Sequence, residues 1–393
     1  MVEPETAPDQ PTPQTPGAQP AAAQPAAAQP AAAQPAPKPQ DLARLRRRRL
    51  FAAVVVGAPL LLFLAAEARV RSTYETVDPR PFFTPGIYRS AEPPVCWELL
   101  PSYQGVYHQQ TELLATSTNA LSMRDPELTP ARREARQRVL LLGDSVAFGR
   151  GVADERTFAR RLEARWSGSA VFNSGVPGYD TRQELERLRR LGPGLRPQLV
   201  VLEWYRNDVL VPSDAVAAKV FEGYLVPLGS TEADFRSWKS RYVTHTHPAD
   251  WSALIRLLRI HWKNFRTTAT LDERAERPWE LKRGHDGFER SLAAIREMRD
   301  WCKEHAAQFV VVMFPAREEV EEDGPQPDYP ALLGEFCRAE QVRFSDLTAR
   351  WREHWKRTGQ TLYLPRDRCH PNAEGHEQVA TWLSEELGEL LPK

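Results

Sequence analysis

The sequence predicts an α/β fold, a three-layer α/β/α arrangement with a central parallel sheet. Continuous apolar runs that end in polar residues are typical of strands buried on both faces of such a sheet. Segments with helical spacing of apolar residues separate these runs, and this alternation is typical of repeated βα units. The strands are predicted at 139–145, 170–176, 199–205, 308–314 and 342–347.

A predicted helix follows each of these strands along the chain. The third connection is the longest, because an insertion, 209–284, precedes its helix. Within the insertion, apolar residues at helical spacing over 251–265 predict either a packed cap or a contact surface for substrate or membrane. The helices that follow the strands are predicted at 158–166, 181–191, 287–305, 331–339 and 373–391.

The chain before the first strand is predicted to form three further parts. Its beginning is rich in proline, alanine and glutamine, with the repeat AAAQP over 21–35. Such a tract lacks the large apolar residues that would offset the entropy cost of ordering it, so it is predicted to be disordered. The parts are a disordered tail, 1–43; a basic flank with a signal anchor, 44–68; an extension packed on the domain edge, 69–137; and a catalytic domain, 138–393.

The anchor is predicted from an uncharged run, 50–66, that directly follows a cluster of arginines. Seventeen helical residues span about 25 Å, which is near the lower limit for crossing a bilayer. The arginines predict a cytoplasmic N-terminus and an exported catalytic domain, which is periplasmic if the source is a Gram-negative bacterium. A cleaved signal peptide ending near Ala66-Glu67-Ala68 and a buried core helix are the alternatives.

Charge and cysteine usage exclude some classes of function. The formal net charge is zero, so no nucleic-acid partner is indicated. The four cysteines show no CxxC or CxxH spacing, and we expect no metal site. In an exported protein they predict at least one disulfide, either Cys302–Cys337 or Cys96–Cys369.

Polar residues follow the predicted strands where a ligand would bind, beyond the carboxyl ends of the sheet. Ser145 follows the first strand, Gly175 the second and Asn207 the third, while Asp367 and His370 lie in the last loop. A histidine can remove the proton that makes serine a poor nucleophile, and an aspartate can orient the histidine. We therefore predict a catalytic triad of Ser145, Asp367 and His370.

An oxyanion hole is predicted beside this triad. Its donors would be the backbone N–H groups of Ser145 and Gly175 and the side-chain amide of Asn207. Two nearby acids are assigned supporting roles: Asp144 hydrogen-bonds the turn after the first strand, and Asp208 caps the following segment. His376, on the last helix, is predicted to be a surface histidine.

The order of these residues resembles that of the SGNH (GDSL-type) hydrolase superfamily, which is named for its Ser, Gly, Asn and His. The stretch NALSMRD at 119–125 is also similar to one that precedes the GDS motif in exported members. The resemblance covers about 119–208 and 286–391 and implies a flavodoxin-like sheet. Two positions depart from the family pattern: Val146 replaces a leucine, and Tyr205 replaces a glycine and would narrow the floor of the pocket.

The expected function is that of a serine esterase that forms an acyl-enzyme intermediate and needs no cofactor. Its substrate would be an acyl ester, including carbohydrate or lipid esters of the cell envelope. The resemblance also permits an O-acyltransferase of the envelope. A non-catalytic envelope binding or assembly protein that keeps the fold is the alternative from another class, although it would have no need for a nucleophile paired with a base.

Overall fold

The computed structural model describes most of the chain after the N-terminal tail. The described residues are 39–73, 86–109, 112–209, 218–236, 252–255, 257–258, 281, 284–324, 326–365 and 367–391. Most of the predicted tail, 1–38, and most of the predicted helix 251–265 lie outside these ranges, whereas 39–43 form the start of a helix. Two compact units make up the chain, Met1–Leu64 and Ala65–Lys393.

Strands and helices alternate through the second unit. The strands are β1 (Tyr88–Ser90), β2 (Trp97–Leu99), β3 (Gln104–Gln109), β4 (Glu112–Ser117), β5 (Gln137–Leu142), β6 (Ser169–Asn173), β7 (Leu199–Trp204), β8 (Ala218–Phe221), β9 (Tyr224–Pro227), β10 (Gln308–Met313) and β11 (Arg343–Asp346). The helices are α1 (Pro39–Thr73), α2 (Pro130–Arg133), α3 (Ser145–Phe148), α4 (Phe158–Arg165), α5 (Thr181–Leu195), α6 (Asp286–Glu304), α7 (Arg317–Glu321), α8 (Tyr329–Ala339), α9 (Thr348–Thr358) and α10 (Ala373–Leu387).

The central sheet has five parallel strands in the order β11-β10-β7-β5-β6. All five correspond to strands predicted from the apolar runs, and the fold class is confirmed. The first strand ends at Leu142 instead of 145, because Ser145 begins the short helix α3. The carboxyl ends of the strands therefore lie along one edge, as the predicted placement of the site requires.

Successive residues of each strand face opposite sides of the sheet and build two apolar clusters. Leu140 and Leu142 pack with α5, α6 and α8 on one side. Val139 and Leu141 pack with α4, α9 and α10 on the other. Burying each such side chain contributes about 1.5–3 kcal/mol, which explains why both faces of the sheet are covered.

The extension before β5 joins the sheet domain through a third apolar cluster. Trp97 and Leu99 of β2 are buried in it together with Phe148 of α3 and Val176, which follows β6. Arg124 is buried beside this cluster, and its guanidinium donates to the carbonyl oxygens of residues 148, 149 and 152. The loop that follows α3 is thus held by residues N-terminal to the sheet.

The helix α1 contains the predicted anchor, and its segment Ala43–Ser72 is long and apolar enough to cross a membrane. Glu67, near its end, lies in the second compact unit. The Glu67 carboxylate accepts bonds from the hydroxyl of Ser252 and the backbone N–H groups of Ala253 and Leu254, at 2.8, 2.8 and 2.9 Å. Residue 67 is therefore attached to the insertion.

The predicted disulfides are wrong in this structure, where all four cysteines are free thiols. Cys302 on α6 and Cys337 on α8 pack among apolar side chains of the same cluster. Burial raises the pKa of each thiol to about 12. Both cysteines therefore serve as small apolar core residues.

Candidate functional site

A sharp turn at the end of β5 presents Ser145. Gly143 has a φ of 150°, and a Cβ there would lie 2.5 Å from Oε2 of Glu203, so this position requires glycine. Asp144 caps α3, because its Oδ1 accepts the Val146 N–H at 2.7 Å. The predicted structural role of Asp144 matches this contact.

Glu203, the fifth residue of β7, holds the same turn from the neighbouring strand. Its Oε2 accepts the backbone N–H groups of Asp144 at 3.3 Å and of Ala147 at 3.2 Å. Burial, together with the charges of Asp144 and Asp208, raises the pKa of Glu203 well above its usual range. Sequence reasoning missed this residue, although a glutamate inside the apolar run LVVLEWY was a signal of it.

The structure brings Ser145, His370 and Asp367 into one line of hydrogen bonds. Ser145 Oγ lies 2.8 Å from His370 Nε2, and His370 Nδ1 lies 2.8 Å from Asp367 Oδ2. All three side chains are buried, with 7–8% of their surface exposed. This geometry fits a serine whose proton is taken by an oriented imidazole.

The Asp367 carboxylate is prepared for this role by contacts within its own loop. Its Oδ1 accepts the backbone N–H groups of Cys369 and His370, each at 2.8 Å. Burial raises the pKa of Asp367, but the hydrogen bonds and charge of His370 and the Cys369 N–H outweigh burial and lower it below its usual range. The carboxylate is therefore ionised wherever the imidazole is neutral.

Gly175 and Asn207, the other predicted oxyanion donors, both adjoin the nucleophile turn. A Cβ at Gly175 would lie 2.4 Å from the backbone nitrogen of Phe148, so only glycine permits this approach to α3. The Gly175 N–H donates to Asn173 Oδ1 at 3.1 Å. The Asn207 amide donates to Asp144 Oδ2 at 2.6 Å. Both donors thus have internal partners in this structure.

The predictions for two neighbouring residues have different outcomes. Asp208 is buried, and its Oδ2 accepts the Thr181 hydroxyl at 3.3 Å, while the segment that it is predicted to cap continues into 210–217, outside the described residues. His376 is fully buried and not at the surface, because α10 packs against α4. Its ring stacks on Phe158 with centroids 5.7 Å apart, and its Nδ1 accepts the Phe158 N–H at 3.1 Å. Burial lowers the pKa of His376 to about 3.

Several acids behind the nucleophile turn were also not recognised from the sequence. Glu184 on α5 is buried, and among the described residues neither of its carboxylate oxygens has a hydrogen-bond partner. Burial, followed by the charges of Glu203, Asp144 and Asp180, raises the pKa of Glu184 well above its usual range. Burial and the charge of Glu184 likewise raise the pKa of Asp208. The surroundings of Glu184 and Asp208 thus favour the protonated form of both carboxyl groups.

Cys369, which the sequence predicted as a possible disulfide partner of Cys96, is a free thiol beside the triad. Its Sγ lies 3.3 Å from Nδ1 and 3.8 Å from Nε2 of His370. Burial and the charge of Asp367 raise the pKa of the Cys369 thiol well above its usual range. The residue as a whole is partly exposed, and its sulfur lies next to the triad outside the line of hydrogen bonds from Ser145 to Asp367.

The chain is similar to one family model and to several solved structures. A family model described as the GDSL-like Lipase/Acylhydrolase family matches residues 141–378. Among solved structures, TesA is 14% identical over 65% of this chain and 100% of its own, with a TM-score of 0.39. The acetyl xylan esterase AlAXEase is 13% identical over 64% and 99%, also with a TM-score of 0.39. No curated protein matches the chain.

Proposed function

The chain belongs to the GDSL-like lipase/acylhydrolase family and is an ester-hydrolysing enzyme, and we propose that it works as a serine esterase with Ser145 as the nucleophile. The observation that carries this proposal is the hydrogen-bond line from Ser145 Oγ through His370 to Asp367, with both distances at 2.8 Å. A serine at a sharp turn, a base and an orienting carboxylate are what acyl transfer to an enzyme requires.

In the proposed mechanism His370 Nε2 takes the Ser145 proton as Oγ attacks the ester carbonyl. The imidazolium that forms is stabilised by Asp367, which stays ionised. Collapse of the tetrahedral intermediate expels the alcohol, to which His370 returns the proton, and leaves an acyl-enzyme. Water activated by the same histidine then releases the acid and restores Ser145.

The oxyanion of each tetrahedral intermediate needs donors near the nucleophile turn. We assign the backbone N–H groups of Ser145 and Gly175 and the amide of Asn207 to it. The second amide hydrogen of Asn207 is available without breaking the bond to Asp144. The Gly175 N–H has to turn from Asn173 toward the oxyanion, so the substrate would complete the hole.

The substrate that we propose is an acyl ester of the cell envelope, on carbohydrate or lipid. The support for it is α1, whose apolar segment would keep the enzyme at a membrane. With the arginines at 44–49 on the cytoplasmic side, the domain 138–393 and its extension 69–137 would be exported. A reporter that is active only outside the cytoplasm should work after Lys393 and fail before Leu50. The reverse pattern would contradict this topology.

Covalent labelling tests the nucleophile directly. A fluorophosphonate probe should label the full chain in detergent at Ser145, located by peptide mapping. Ser145→Ala should abolish the label, and the exposed Ser167→Ala should keep it. A panel of p-nitrophenyl esters would then give the preferred acyl chain length. Labelling that persists in a folded Ser145→Ala variant would remove Ser145 from the mechanism.

A further inference from the structure

Three different metal-ligating groups meet at the loop that carries the base. The carboxylate of Asp367, the thiol of Cys369 and the imidazole of His370 each place a ligand atom within 4.8 Å of the other two. Within the described ranges, no other trio of such groups lies this close. The ester chemistry proposed above uses two of these groups and gives the cysteine no task.

The spacing of the donor atoms suits a small tetrahedral cation. Ligand distances of about 2.3 Å to sulfur and about 2.0–2.2 Å to nitrogen or oxygen correspond to donor separations of about 3.3–3.6 Å. Around His370 Nδ1, the Cys369 sulfur already lies at 3.3 Å and the Asp367 oxygen at 2.8 Å. The Asp367 oxygen now lies where the Nδ1 proton points, so it has to swing aside before a cation can bind to Nδ1.

The chemical character of the three donors also narrows the choice of cation. Thiolate and imidazole favour zinc and other thiophilic ions, whereas magnesium and calcium prefer oxygen ligands. One thiolate and one carboxylate balance the charge of a divalent ion, and neutral imidazole is the third ligand. Cys369 is partly exposed, which gives the ion and a fourth, water ligand a route to the loop.

We propose that Asp367, Cys369 and His370 form a binding site for a thiophilic divalent cation such as Zn²⁺, and that occupation of this site switches the hydrolase off. Binding of the ion stands on the three donors alone. The inhibition rests in addition on the proposed role of His370 as the base for Ser145.

The inhibition follows from the position of one proton. In the resting triad the imidazole carries its proton on Nδ1, where it donates to Asp367, and Nε2 accepts the Ser145 hydroxyl. When a cation binds, the imidazole proton moves from Nδ1 to Nε2, and this frees the Nδ1 lone pair for the cation. The Cys369 thiol releases its own proton to solvent and binds as thiolate. A protonated Nε2 cannot take the serine proton, so acylation stops.

Occupation also moves the ring. The Cys369 sulfur is at similar distances from the two ring nitrogens, 3.3 and 3.8 Å, and therefore lies over the ring face. For Nδ1 to share a cation with that sulfur, the ring must tilt, and the tilt lengthens the 2.8 Å contact between Nε2 and Ser145 Oγ. Removal of the ion by a chelator restores the resting arrangement.

Cobalt reports on the site without any need for activity. Co²⁺ added to the full chain in detergent should produce the near-ultraviolet charge-transfer band of a cobalt–thiolate bond. We expect the band in the wild type, in Ser145→Ala and in Cys96→Ala, and its loss in Cys369→Ala. Cys96 is the matched control, since it is also partly exposed. Absence of the band in the wild type, or its survival in Cys369→Ala, would overturn the site.

Inhibition by Zn²⁺ tests whether occupation of the cation site stops ester hydrolysis. Zn²⁺ should inhibit ester hydrolysis by the wild type and by Cys96→Ala, and EDTA should restore it. Measured against its own zinc-free rate, Cys369→Ala should need at least about 10-fold more Zn²⁺ than the wild type for half inhibition, because a ligand is lost. Equal sensitivity of Cys369→Ala and wild type would refute the switch. If Ser145→Ala retains activity while the cobalt band is present, the triad assignment fails and the metal site stands.

Discussion

The two halves of the candidate site are held in different ways. The loop with Asp367 and His370 organises itself, because the aspartate binds two backbone N–H groups and the imidazole within four residues. The nucleophile turn depends on distant parts of the chain. Glu203 and Asn207 both hydrogen-bond Asp144 in this turn, and they lie 59 and 63 residues after it in the chain. A local motif can thus supply the base, whereas the nucleophile needs the assembled sheet.

This difference predicts how substitutions divide between chemistry and stability. Changes in the base loop should reduce the rate with little loss of folding free energy, since few distant contacts break. Changes around the nucleophile turn should affect both, because the same hydrogen bonds join β5 to β7. The experiments below separate these effects by measuring kcat, KM and thermal unfolding for each variant.

The largest loss is expected when either end of the Ser145–His370 pair is removed. Ser145→Ala deletes the atom that is acylated, and hydrolysis of a small p-nitrophenyl ester should fall to background. His370→Ala should cause a nearly equal loss of activity. The double variant should lose no more activity than Ser145→Ala alone, because the two groups act as a unit. Additive losses in the double variant would show that they act separately.

Asp367→Asn should come next, with a fall of up to about 10⁴ in kcat. The amide can keep the position of the side chain but presents the wrong hydrogen-bonding partner to Nδ1. The unfolding temperature should change much less than the rate. Asp346→Asn, at the exposed end of β11, serves as the control. A variant of Asp367 that unfolds early and keeps its kcat would reverse the view that the base loop is local.

Asn207→Ala should lower kcat by about 10² to 10³, because one of three oxyanion donors is lost. The oxyanion exists only after attack, so KM should change little. Loss of the bond to Asp144 should also lower the unfolding temperature, in contrast to Asp367→Asn. An unchanged kcat in the folded variant would remove Asn207 from the oxyanion hole.

His376→Ala should reduce stability and leave the chemistry almost intact. The substitution removes a fully buried ring that stacks on Phe158 and accepts its N–H. A cavity of this kind costs about 2–4 kcal/mol. The exposed His305→Ala is the matched control. Calorimetry should show a lower unfolding temperature for His376→Ala and no change for His305→Ala. A His376→Ala variant that unfolds at the wild-type temperature would contradict the packing role of His376.

The smallest effect is expected from Glu184→Gln and should appear as a weaker fall of stability with rising pH. The pKa of Glu184 is raised in the folded state, so its contribution to stability is complete below the unfolded pKa and is lost as pH rises through the folded pKa. The variant should therefore lose less stability than the wild type between neutral and alkaline pH. Glu186→Gln, on the same helix, should follow the wild type. Parallel stability curves for Glu184→Gln and wild type would refute the idea.

The parts predicted from sequence are those with a local signal. Four of the five strands of the central sheet lie in apolar runs, and the spacing of Asp367 and His370 within one loop is visible in the chain itself. The parts that were missed depend on burial. The Glu203 carboxylate accepts two N–H groups of the turn and helix that follow β5, and the cysteines have no spacing that shows whether they pair or pack.

His370 and His376 show this division most directly, since they lie six residues apart and both are buried. The sequence by itself determined the α/β alternation, the apolar helix and the order of polar residues at the strand ends, because periodicity and motif are properties of neighbouring residues. Only the tertiary structure decided that His376 is buried against Phe158 and that a thiol lies over the His370 imidazole. Burial and hydrogen-bond partners depend on which helices pack together against the sheet. That packing is determined by contacts between residues far apart in the chain.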